Sequence, residues 1–523
     1  MAGGTTEAGT GAAGHRLLLL IPLTAVVMTL AATGAVPTWP GLVHLVALPP
    51  LDLFGDMRVL LTSTSGPVSF TALLVAVLAV RITLLALLAG GLTRNRLALA
   101  AAFYGVLLVP ALLAAEAVHI AGTLLYSRLF WGGAAAVAVL VLVFAPLPWR
   151  AGNGGIREAL ATAWHDGFRV GVTLGYAVAV TGVGALAHLY PGLTVALVPV
   201  SAAATAAALT LLTRPARPGG PRRLAATAMS AVLLGWGWAA TREAPPPDPA
   251  RPRPGSILVM SGIDSHSGTG NAFRSRTDLL GYDCDQTHYF SYAGRGDGQP
   301  RGEALCPIRT GAPYTSAHTQ RPVAEQVRTF AEQTADLPRP LVVAGHSQGA
   351  WIAWLAVAGG HAPRVDTLIL IGPFPESTGG YRPVGEPGRA RPASDLLQVL
   401  TPLSRVAGFG FDTDSPAGYE LLGTTDAPAE VFALPLPERT RALSVVSTAD
   451  LPLMPSGWRL PVDRDACPVR APHALLPTSN AYYEEANRFL DGDPAPPCPV
   501  FRTWGGPLAV PFGGPAVHVD PGT

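Results

Sequence analysis

The run Gly345-His346-Ser347-Gln348-Gly349 sets a serine hydroxyl between two glycines. Before it, Pro340-Leu341-Val342-Val343-Ala344 is a short apolar, β-branched run that predicts a buried strand. After it, Ala350 to Ala358 has helical composition and ends at Gly359-Gly360. A bare G-x-S-x-G arises by chance roughly a few tenths of a time in a chain this rich in glycine, so the flanks carry the weight. Strand, G-x-S-x-G and helix in that order is the context of a nucleophile elbow. The turn is tight, and a side chain at either glycine would collide with the neighbouring strand or helix. The helix start behind it offers N–H groups to an oxyanion forming beside Ser347.

A serine nucleophile needs a base, and the base needs an orienting acid. In an elbow fold the acid and the histidine follow the serine in that order. Arg441 to Asp450 predicts a strand ending in a carboxylate, which places Asp450 at a C-terminal sheet edge, with Asp463 and Asp465 as alternatives. His473 is the only histidine between His361 and His518. It stands in a loop just ahead of Asn480–Leu490, a segment with Thr478 or Ser479 at its cap and an apolar face at Ala481, Tyr482, Ala486, Phe489 and Leu490. His361 follows the elbow helix too closely, and His518 lies in a Gly/Pro-rich end. His346 points away from the nucleophile and is assigned to packing.

With these residues in place, Ser256 to Leu490 resembles the α/β-hydrolase family, in its lipase and esterase branch. The early strand Ser256–Ser261 followed by Gly262-Ile263-Asp264-Ser265 adds to the likeness. The resemblance implies an α/β domain with a mostly parallel central sheet. It also implies an oxyanion hole made by the backbone N–H groups of Ile263 and Gln348, although Ser261-Gly262 replaces the family's usual His-Gly and leaves the first assignment open by one residue. The implied reaction is attack of Ser347 on an acyl carbonyl, with His473 as base and Asp450 holding the imidazole, followed by hydrolysis of the acyl-enzyme. It calls for no metal or organic cofactor, and the sequence carries no zinc or nucleotide motif.

The elements that must position this chemistry follow a helical region. Residues 1–240 are sparsely charged and predict about seven membrane spans: Arg16–Ala35, Val68–Leu92, Leu97–Ile120, Leu129–Leu147, Val170–Leu189, Leu193–Leu212 and Leu224–Ala240. Leu42–Leu61 is also apolar, but Pro49-Pro50, Asp52, Asp56 and Arg58 argue for an outside or re-entrant loop. With the N-terminus inside, ten arginines fall on inner segments and two, Arg58 and Arg128, on outer ones. That bias places everything after the last span outside a cell membrane. All four cysteines, Cys284, Cys306, Cys467 and Cys498, lie in this second half, as an oxidising compartment favours. Pairing Cys284 with Cys306 and Cys467 with Cys498 closes the two shortest loops, and the second bridge would clamp the loop of His473 to the chain end.

The expected order is therefore a transmembrane bundle over 1–240, a Pro-rich linker over 241–255, the hydrolase-like domain over 256–500 with a cap-like insertion over 373–441, and a Gly/Pro-rich tail over 501–523. The linker would hold the second domain a few tens of ångströms from the bilayer at about 3.1 Å per residue. Net charge of +1 gives no case for nucleic-acid binding. Arg81 falls in mid-span and is expected to be paired or snorkelling, while Glu116, His119 and His188 are expected at headgroup level. Gly171 and Gly175 form a G-x-x-x-G expected to pack closely inside the bundle. An apolar insertion over a tethered serine hydrolase points to an acyl-ester or lipid substrate. The rival reading makes the bundle the functional unit, for lipid transport or sensing, with the second domain as a binding module or acyltransferase.

Overall fold

The computed structural model describes residues 16–124, 126–149, 157–158, 161, 169–214, 245–248, 250–374, 381–383, 385–406, 410, 412, 414–422, 427–454 and 460–515. The helical region runs α1 (Leu20–Ala32), α2 (Leu51–Ser63), α3 (Pro67–Ala89), α4 (Arg94–Leu124), α5 (Ser127–Phe144), α6 (Val170–Leu189) and α7 (Thr194–Thr213). Among the described residues five helices are long and apolar enough to cross a membrane: α3 to α6, α5 being continued to Trp149, and α7 with its leading turn from Pro191. The expected first span shortens to α1, whose 13 residues cover about 20 Å at 1.5 Å per residue, less than the roughly 30 Å of a hydrocarbon core. The expected span Leu224–Ala240 lies outside the described residues.

Leu42–Leu61, expected as a loop, is instead the 3-10 turn Pro40–Val46 followed by α2, and most of it is buried between the longer helices. Its charges have partners distant in sequence. Arg81 donates two hydrogen bonds to Asp56, at 2.7 and 2.8 Å, and one to the Leu45 carbonyl at 2.9 Å. Its Nη1 stands 3.5 Å from Asp52, which accepts from the Tyr104 hydroxyl at 2.7 Å. The expected pairing of Arg81 is thus present. Glu116 and His119 are buried within the helical region, at 0% and 4% exposed. Gly171 and Gly175 depart from expectation: a Cβ at either would meet open space. Close approaches occur at other glycines, among them Gly133, against Val118, and Gly184, against Pro511.

The second region is a six-stranded parallel sheet, order β2-β1-β3-β4-β5-β6, of β1 (Ser256–Met260), β2 (Thr287–Tyr289), β3 (Leu341–His346), β4 (Val365–Ile371), β5 (Arg441–Val445) and β6 (Arg464–Asp465). β1 and β3 are mostly aliphatic and buried nearly throughout, as in a parallel sheet covered on both faces. The order reverses between β1 and β3, and a crevice for ligands forms at such a switch point, beyond the carboxyl ends of the strands. Helices α8 (Val323–Thr334) and α9 (Gln348–Ala358) pack on each other beside β3. The insertion between β4 and β5 carries α10 (Arg391–Val406), α11 (Pro416–Leu422) and α12 (Ala427–Ala433), and α13 (Asn480–Asp491) follows β6. Ser479 caps α13 by accepting from the Tyr482 N–H, which selects it over Thr478.

No gap separates the two regions. The Trp131 indole at the start of α5 donates to the Ala449 carbonyl at 3.0 Å, and Ile120 of α4 belongs to the core around the sheet. Ala393 of α10 is buried with the bundle. The expected spacer ends docked, since the Arg253 N–H donates to the Gly281 carbonyl at 2.8 Å and its guanidinium pairs with Asp491 at 2.9 Å. The expected tail is folded over its described part: α14 (Gly505–Ala509) and the turn Val510–Phe512 pack on α6 and the 3-10 turn Pro40–Val46. Both disulfides form as the loop lengths suggested, Cys284–Cys306 and Cys467–Cys498, with Cα separations of 5.1 and 5.2 Å.

Candidate active site

Ser347 caps α9 with φ 55° and ψ −121°, a backbone that a residue with a Cβ adopts only under constraint. The constraint is visible on both sides. Its N–H donates to the Ile371 carbonyl of β4 at 2.8 Å, and the Ala350 N–H returns to its own carbonyl at 2.9 Å. A Cβ at Gly345 would come within 2.7 Å of the Gly349 carbonyl oxygen, and one at Gly349 within 2.9 Å of the Ser261 carbonyl oxygen. The two glycines therefore let helix, elbow and β1 close on one another, which is why the sequence turns here rather than continuing as strand.

Gly262, just past β1, faces the elbow across the switch-point crevice: a Cβ there would lie 2.9 Å from Ser347 Cβ and 3.4 Å from its Oγ. Ile263 follows, half-buried. The next N–H, of Asp264, is already taken by Thr319 Oγ1 at 3.0 Å. Gln348 is the first residue of α9, where helix geometry leaves N–H groups without an intrahelical partner. Its side chain is turned away, donating to the Thr319 carbonyl and to Gln326 at 2.9 and 3.1 Å. The Gln348 side chain is thus buried against Thr319 and Gln326, away from any role beside Ser347.

Asp450 and His473 come together at the neighbouring strand ends. Asp450 follows β5, is 2% exposed, and its Oδ2 stands 2.7 Å from His473 Nδ1. Of the alternatives, Asp463 is occupied elsewhere, accepting from the Ala442 N–H at 2.7 Å. Asp465 lies in β6 beside Ser444. Burial would lower the His473 pKa, but the charge of Asp450 and its hydrogen bond outweigh it, and the net shift is upward. Gly372, at φ +60°, leaves room for the imidazole: a Cβ there would fall 2.7 Å from His473 Cε1. Ser347 and His473 therefore rest on consecutive residues of one corner, Ile371 and Gly372. The structure forms no hydrogen bond from Ser347 Oγ to His473, and catalytic hydrogen bonds are often long before a substrate is bound.

Three supporting residues escaped the sequence reading or were given less than they do. His346 packs its ring 5.0 Å from that of His473, and its Nε2 meets the His473 carbonyl oxygen at 3.1 Å. Burial, and then the His473 charge, push its pKa down to about 3, so it is a neutral prop. Gly372 was legible only as a glycine after a strand. Asp264, at φ 62°, accepts from Ser316 at 2.5 Å and from the Gly410 N–H at 2.6 Å, tying the insertion to the loop after β1. No group of three or more possible metal ligands gathers among the described residues. The sequence matches no known family model and no curated protein.

Proposed function

We propose that this chain is a membrane-held serine hydrolase of acyl esters, with its sheet region adopting the α/β-hydrolase fold outside the cell membrane. The observation that carries the reading is the strained backbone of Ser347 at the switch point, with the Asp450–His473 pair at 2.7 Å on the adjoining strand ends. In this mechanism His473 Nε2 takes the Ser347 proton as Oγ attacks the acyl carbonyl, and Asp450 fixes the tautomer that leaves Nε2 free to accept it. The N–H groups of Ile263 and Gln348 hold the oxyanion, each worth on the order of 3 kcal/mol in such sites. His473 then returns the proton to the leaving alcohol, and water repeats the sequence to release the acid.

The arginine asymmetry and the two disulfides support the outside placement. The apolar insertion and the contact of Trp131 with the loop of Asp450 support a substrate drawn from lipid. Hydrolysis of a panel of short- and long-chain acyl esters by the full chain tests the reading. Turnover that vanishes in Ser347→Ala supports it, and turnover that survives the change contradicts it.

One observation favours the rival, in which the bundle is the functional unit. Glu116 is fully buried and neither of its oxygens is hydrogen-bonded among the described residues. A Glu116→Gln variant with unchanged ester turnover but altered lipid-bilayer activity would speak for a working bundle.

A further inference from the structure

A cavity of about 650 Å³ lies at the seam between the helical region and the sheet, within the size range of small-molecule sites. One wall is the end of α6, with His188 and Leu189, and another is the chain-end segment, with Trp504 and Leu508. The third is Leu451 and Met454, which follow Asp450. None of Ser347, Asp450 and His473 lines it, while Leu451, next to Asp450, does. Its walls are mainly apolar; two carboxylates, Asp465 and Glu485, line it, and Glu485 is held by Arg488 at 3.2 Å.

The surroundings of the cavity indicate the occupant. Leu186, Leu189, Tyr190 and Leu193, at the adjoining ends of α6 and α7, are 46% to 58% exposed. Across the opening, Trp504 and Leu508 are 55% and 40% exposed. Tyrosine and tryptophan at the ends of apolar helices mark the level where a bilayer meets water. If α6 and α7 cross a bilayer, the opening stands at headgroup level with its apolar rim in lipid.

We infer that this cavity receives one acyl chain of an outer-leaflet lipid, with the headgroup left outside. The chain packs against Leu451 and Met454 and so braces the loop of Asp450 from behind. The inference rests on the membrane placement proposed above but not on hydrolysis, because binding here does not involve Ser347.

The test uses the full-length Ser347→Ala chain in lipid nanodiscs containing a phospholipid with a photoreactive diazirine near the end of one acyl chain. After illumination, labelled peptides are mapped by mass spectrometry. Label is expected on the peptides carrying Leu451–Met454 and Trp504–Leu508, as well as on the exposed face of α3. Ala495→Trp, at an exposed lining position, is expected to lower the cavity label at least five-fold and leave the α3 label unchanged. Leu508→Gln, which makes the rim polar, is expected to do the same and covers the case in which the first variant does not fold. Label confined to α3 and other outward faces, or cavity label that both variants leave intact, would overturn the inference. Absence of label on α3 as well would overturn the membrane placement itself.

Discussion

Ser347 holds a backbone that costs on the order of 1–3 kcal/mol, and the two glycines beside it make that conformation attainable. Gly349→Ala would drive a methyl to within 2.9 Å of the Ser261 carbonyl oxygen, so we expect a fall of several degrees in Tm together with loss of ester turnover, read by thermal melts and kinetics. The Asp450–His473 pair makes a pH prediction. Because the His473 pKa is raised, its neutral, base-competent form is lost at a higher pH than for an ordinary imidazole. The acid limb of kcat/KM is therefore expected above about 6.5. In Asp450→Asn the burial effect is left unopposed, so the limb moves to lower pH while kcat falls on the order of 10⁴-fold. The sign for stability is the companion result: the pair's contribution is full below the unfolded imidazole pKa and fades as pH rises through the folded one. A limb that stays in place in Asp450→Asn would separate the carboxylate from the base.

Among the elements, the bridge Cys467–Cys498 closes a 31-residue separation that brackets His473. Chain-entropy arguments give such a loop about 3 to 4 kcal/mol, so the double variant Cys467→Ser/Cys498→Ser is expected to melt well below the parent in calorimetry. In the bundle, Asp56→Ala would leave Arg81 buried without its bidentate partner, a change that costs about 3–5 kcal/mol in comparable sites, and thermal melts in detergent would read it. These elements also show what the sequence made legible. The elbow was readable because its chemistry demands glycine at two fixed places, and His473 because no other histidine stands in its window. The helical pair at 40–63 was not, because Asp52, Asp56 and Arg58 look like loop residues until Arg81, Tyr104 and the Ala115 carbonyl meet them from distant helices. The same holds for β2 and β6, of three and two residues, which are too short to show a period. The outward glycines of α6 matched a packing motif, but which face of a helix is buried is settled by its neighbours rather than by the motif.

For the whole molecule, the direct contact between helices and sheet replaces the picture of a domain on a spacer. Trp131 reaches the loop of Asp450, Ile120 enters the sheet core, and the chain end folds back onto α6. We therefore expect the sheet region cut free at the linker to lose stability and turnover even on soluble esters, where a merely tethered domain would lose neither. If the placement outside the membrane holds, protease added to intact spheroplasts removes the sheet region. Protection until lysis would reverse the topology. The central claim is that Ser347 is a nucleophile activated by His473, and a fluorophosphonate probe tests it most directly. With the full chain in detergent or nanodiscs, mass spectrometry is predicted to find a single phosphonyl adduct on Ser347 that is lost in Ser347→Ala and strongly slowed in His473→Ala. No adduct on the folded parent chain, or an adduct that persists in Ser347→Ala, would contradict it.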